Sequence, residues 1–394
     1  MQLGFVHFDR NDQKKYLAVL SKITEGGAID ELGVGRIRDY YSDLMFPGIS
    51  SLHQHAKYFS LMPQLYRAAV IKGKFSHLED VRPFIRKLEI EMTKRLCERS
   101  HGASGITGSD SLRYGKYVKY DPMYIYGMAL QTFGIVKTEN LEEAIFYASK
   151  KYHERPVKLS ASDKEQGDSD YKEALLSFCV TPCNLEYDWL TECSLDLTQN
   201  ESFFIRRCIL KASDCKNSLL HYILENRIVL EEETFESFGF RYRRTLPDNL
   251  YLEIKQAVHF SDLVDGLFLY YNWLFSAKED KKVYARFKKW YETVFLREQN
   301  EMLESVLNVR INDNGSVRFC VRAINLIGKN DWANLDTLVK SRERSIKGTR
   351  FKIGNEKGGY HYNPDAPIHD YKVEFRWKTV VTLVNEILGG LGNE

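Results

Sequence analysis

The chain has 394 residues, 43% hydrophobic and 28% charged, which excludes a disordered or fibrous protein and exceeds the usual size of one hydrophobic core. Its formal charge of +2 excludes a dedicated whole-chain nucleic-acid binder, so any such surface must be a local patch. Seven cysteines, a start (Met1-Gln2-Leu3-Gly4-Phe5) without a basic leader, and no apolar run of about 18 residues point to a reduced, cytoplasmic protein with no membrane span.

Aromatics make up 13% of the chain against only 9 prolines, a balance that suits packed helices. Leu3–Phe8 alternates weakly and reads as a short strand or extended arm. Asp9, Asn11 or Asp12 can cap a first helix with Tyr16, Leu17, Leu20 and Ile23 on its buried stripe, ended by Gly26-Gly27. A second helix is expected over Gly35–Met45. Phe46-Pro47-Gly48 breaks it, because proline cannot continue the ladder. Ser50 or Ser51 then caps a long helix to about Ile71, which Pro63 should kink or split. Another helix fits Leu78–Glu98.

Glycines among Ser and Thr make Gly102–Gly115 a loop. Asp121-Pro122 starts a helix that stops at Gly134, and Glu139–Tyr152 is a further one. Leu159–Tyr171 is polar and charged and is the best boundary candidate. The expected domains are therefore 1–157 and 173–394, joined by a linker at 158–172. Leu246-Pro247-Asp248 opens a dense apolar run to Phe275, interrupted by Asp262, Asp265 and Asn272, which reads as a buried core helix. Glu279–Ile311 reads as one long helix from its three- and four-residue apolar steps. After a turn at Asn312–Gly315 come two shorter helices, a glycine-rich loop over Gly348–Tyr362 and a last helix over Tyr371–Leu388. The period is near 3.6 almost throughout. The expected class is mainly α, a multi-helix, bundle-like architecture with minor short β elements.

Four constellations carry possible chemistry. Helix, Pro-Gly turn and helix over 35–61 would let Ser50, Ser51, His53, Gln54 and Lys57 face a DNA groove. An ordinary structural hairpin competes, and the turn lacks the usual Gly-centred form. A second candidate is a basic run: Lys340, Arg342, Arg344, Lys347, Arg350, Lys352 and Lys357 face Glu343 and Glu356, seven cations against two carboxylates, a local charge of +5. With Tyr360, His361 and Tyr362 alongside, this run could track a nucleic-acid backbone. A solvated helix end explains it equally well. The third is metal: Cys179 and Cys183 form the only short cysteine pair, and His53 and His55 do not share a helix face. Buried structural thiols are the better reading. Fourth, no phosphate loop, nucleophile elbow or His-Glu-x-x-His motif occurs, and acid pairs such as Asp262 with Asp265 fit caps or helix faces. No cofactor, metal or catalytic residue is expected.

Several of these stretches resemble an uncharacterised bacterial family of unknown function. The likeness is carried by Asp30-Glu31-Leu32-Gly33, Arg38-Asp39, Phe46-Pro47-Gly48-x-Ser50 and Lys57-Tyr58-Phe59, and by Tyr126 with Leu130 and Gly134-Ile135. It continues in Ser341-Arg342-Glu343, Lys347-Gly348-Thr349-Arg350 and Phe375-Arg376-Trp377. The resemblance implies a component of phage-defence gene clusters encoded beside helicases and phospholipase-D-type nucleases. The implied role is a non-catalytic scaffold or nucleic-acid-associated sensor, with those proteins and a DNA or RNA backbone as partners. The alternatives are a transcription regulator using 35–61, or a nuclease with an unrecognised acidic site.

Overall fold

In the computed structural model, the residues described are 30–100, 104–154, 177–182, 190, 193–231, 234–312, 314–355, 358–368 and 371–392. The expected arm at 3–8, the first helix and the linker at 158–172 lie outside them. Regular structure among the described residues is helical, and the one β feature is an isolated antiparallel bridge between Val136 and Cys179. The chain is thus mainly α, as its 3.6-residue period predicts.

The chain forms two compact units, each assembled from non-consecutive segments. One comprises Phe46–Glu231 and Lys378–Glu394, and the other the described part of Lys22–Met45 with Glu232–Trp377. The first unit is built around α2 (Tyr58–Lys72), the helix after α1 (Gly35–Met45). Twelve of its fifteen residues are buried. It packs against α3 (Val81–Arg99), α5 (Pro122–Thr132), α6 (Leu141–His153) and α7 (Gln199–Lys211). A short α4 (Ser109–Arg113) lies within the expected loop. Asp121 caps α5 by accepting from Tyr124 N, with Pro122 at the first helical position. After α7 come α8 (Leu219–Glu225) and, at the far end of the sequence, α15 (Trp377–Leu391).

The second unit centres on α10 (Asp248–Phe275), a 28-residue helix. Around it pack α1, α9 (Phe235–Tyr242), α11 (Lys281–Trp290) and α12 (Leu296–Leu307). Next in the chain are α13 (Asn314–Gly328) and α14 (Trp332–Lys347), which pack on each other.

Three expected elements differ in the structure. The helix expected from Ser50 starts at Tyr58, and it continues through Pro63 unsplit. Side chains, not a helical ladder, satisfy the intervening backbone: Gln54 N and His55 N donate to the Tyr126 hydroxyl, and Ala56 N donates to Glu386. The long helix expected over Glu279–Ile311 is broken by a π turn at Tyr291–Phe295, ends at Leu307, and has non-helical backbone at Glu298. The last helix begins at Trp377, not Tyr371. Phe375 and Arg376 take left-handed backbone (φ 48° and 63°), and Tyr371 N and Val373 N donate to Asp265 and Ser261 of α10.

Candidate nucleic-acid interface

The basic run divides into inward and outward halves. Arg342, on α14, donates from Nε to the carbonyl of Leu32 at 2.8 Å and from a terminal nitrogen to the carbonyl of Gly33 at 3.2 Å. Its guanidinium also stacks over Phe319. Lys347, the last residue of α14, is buried and lies 3.6 Å from Glu31. Lys352 reaches the same Glu31 oxygen at 2.9 Å. Burial lowers the Lys347 ammonium from the ordinary lysine range, against the pull of Glu31. These three cations therefore hold the Asp30–Gly33 segment.

Glu343 completes this assembly. It is fully buried and accepts from the Tyr271 hydroxyl at 2.6 Å, from Lys352 N at 2.8 Å and from Ile353 N at 3.1 Å. It thereby fixes the turn that follows α14. Asp30 caps α1 by accepting from Val34 N and Gly35 N. Gly33 sits at φ +65°, and an added Cβ would lie 2.7 Å from an Arg342 nitrogen. Only glycine suits both the backbone and the space.

Lys340, Arg344 and Arg350 remain exposed, and Lys357 lies outside the described residues. Arg344 stacks on Phe351 with its guanidinium 4.7 Å from the ring centre. Exposed Arg318 and Arg322 of α13 and exposed Lys329 add to them. A groove of about 400 Å³ lies along α13 and α14, lined by Arg322, Asn325, Leu326, Asn334, Thr337, Leu338 and Ser341. Helical spacing puts Arg318 on the face of Arg322, and Arg344 on the face of Ser341.

The two helices themselves carry few acids. α13 contains no Asp or Glu. From Asn314 to Lys352 the only carboxylates are Asp331, Asp336 and Glu343. Asp331 caps α14 through Asn334 N, Asp336 pairs with Lys278 and accepts from Tyr270, and Glu343 is buried. Cations interleaved with Asn, Thr and Ser amides and hydroxyls suit phosphate oxygens. The basic run expected over Lys340–Lys357 therefore splits, and its exposed members on α14 are joined by exposed cations of α13. Arg318 and Arg322 were missed because each stands alone in an apolar helix. Their four-residue spacing without any acid was the available signal.

The other constellations resolve differently. Ser50, His53 and Lys57 of the expected DNA-reading hairpin are buried. His53 stacks on Tyr126 with ring centres 4.6 Å apart. Lys57 pairs with Glu201 at 2.6 Å, and Glu201 also accepts from Ser60 at 2.6 Å. Burial raises the Glu201 carboxyl, but Lys57 and these hydrogen bonds outweigh it and hold the carboxyl below its ordinary range. Tyr58 stacks on Tyr126 at 4.6 Å, and Phe59 packs edge-on against Phe133. Gly48, at φ +78°, has the Phe133 ring 2.9 Å from where a Cβ would sit. These residues are the centre of the first unit's core. Cys179 is buried, and Cys183 lies outside the described residues.

The resembling motifs thus sort by unit. Phe46–Ser50, Lys57–Phe59 and Tyr126–Ile135 build the first. In the second, Arg376 pairs with Asp43 at 2.8 Å, while Phe375 packs on Tyr41 and Trp377 on Phe238. Residues 1–285 match a family described only as of unknown function, DUF6361, and the chain belongs to that family. No curated protein and no solved structure matches the chain.

Proposed function

We propose that this member of the family is a non-catalytic component of a multi-protein bacterial antiviral defence system. It acts in the cytoplasm as a scaffold or sensor that holds a nucleic-acid backbone through α13 and α14, beside a helicase and a phospholipase-D-type nuclease. The observation that carries the reading is the set of exposed cations, Arg318, Arg322, Lys340 and Arg344, beside the α13–α14 groove. Its chemistry selects phosphate rather than base edges, so binding should be largely indifferent to sequence. Retention of labelled single- and double-stranded oligonucleotides by the purified chain tests it. Failure to retain either refutes the nucleic-acid role. Preference for one duplex sequence favours a regulator instead, and cleavage that requires a metal favours a nuclease. Helicase and nuclease genes beside this one would support the defence role, and an isolated gene would count against it.

A further inference from the structure

A separate cluster in the second unit joins α10, α12 and the segment before Phe375. His259 and Asp262 stand three residues apart on α10 and so share a face. Glu298 comes from α12, at the residue where the backbone leaves helical geometry (φ −123°, ψ 16°), just after the π turn. One nitrogen of His259 and one oxygen each of Asp262 and Glu298 lie within 4.8 Å of one another. We infer that these three side chains form a site for one divalent metal ion of the class held by mixed nitrogen and oxygen ligands, with Mn²⁺ as the natural probe.

Distance supports the site. His259 Nδ1 lies 3.1 Å from Glu298 Oε2. Neighbouring ligands each about 2.1 Å from a first-row metal stand about 3.0 Å apart at right angles.

Charge points the same way. Lys372 bridges Asp262 at 3.0 Å and Glu236 at 2.7 Å. Among the described residues, three carboxylates (Glu236, Asp262, Glu298) gather around one ammonium. A divalent ion adds positive charge there. The frame is rigid on the α10 side, since Trp290 Nε1 donates to the Asp262 carbonyl at 2.9 Å. Asp262 is buried while Glu298 is partly exposed, so water can complete the coordination shell from the solvent side.

The test uses the full chain, stripped with a chelator and titrated with Mn²⁺, with free Mn²⁺ read by electron paramagnetic resonance. One site per chain is expected. Glu298→Gln and His259→Gln should each weaken it at least about tenfold, with circular dichroism confirming the fold. Glu298 is partly exposed, so its variant stays informative if the His259 variant does not fold. No stoichiometric Mn²⁺ in the unsubstituted chain, or binding unchanged in Glu298→Gln, would overturn the assignment.

Discussion

Glu31 shows how a single side chain redirects a motif. The sequence presents Lys347 and Lys352 as members of a basic run, yet both turn to a carboxylate more than 300 positions earlier in the chain. No spacing rule links residues so far apart. Glu31→Ala would leave Lys347 buried without its anion, at a cost of about 3–5 kcal/mol. The paired replacement Glu31→Leu with Lys347→Met should restore most of that loss, both read by urea unfolding. Glu89, in the first unit, gives a pH signature. It is fully buried and accepts from Met123 N. Burial first, and Asp121 second, push its carboxyl up to about 8 despite Arg82. Its folded value lies above its unfolded one, so the folded form alone holds the proton between about pH 4.5 and 8. Stability present below that window is lost as pH rises through it, by at most about 1.4 kcal/mol per unit. Unfolding free energies at pH 5 and pH 8 should show the fall, and Glu89→Gln should remove it.

Helices were largely legible because each rests on local signals. Asp121-Pro122 opens α5 and Pro247-Asp248 opens α10, whereas the capping box of Thr198 with Glu201 that opens α7 was passed over. What could not be read depends on distant partners. Residues 50–57 have the composition of a helix start, but Tyr126 and Glu386 take their backbone donors. The π turn at Tyr291–Phe295 leaves the apolar pattern almost unchanged, so periodicity passes over it. The same limit hid the helical face of the candidate interface. Packing between elements makes its own prediction at Gly266, where a Cβ would meet the Trp290 ring at 2.2 Å. Alanine is the better helix former by about 1 kcal/mol, yet overpacking a buried indole costs about 1–3 kcal/mol. Gly266→Ala should therefore lower the melting temperature and alter tryptophan fluorescence. An unchanged or raised melting temperature would mean α11 can shift without loss.

At the scale of the whole chain, two units are assembled from interleaved segments. A polar stretch can only suggest a cut between consecutive pieces, so this organisation leaves no mark in composition. A net charge of +2 likewise conceals an uneven distribution, because exposed cations gather on α13, which has no Asp or Glu, and on α14. The central claim is that this face binds nucleic-acid backbone. It is tested most directly by the salt dependence of binding to a labelled single strand, comparing the natural chain with Arg322→Ser/Arg344→Ser. Each phosphate contact contributes about 0.7 to the slope of log K against log salt on a single strand. The account predicts a slope shallower by about 1.4 in the double variant and weaker binding at every salt concentration. An unchanged slope would place the binding surface elsewhere and contradict it.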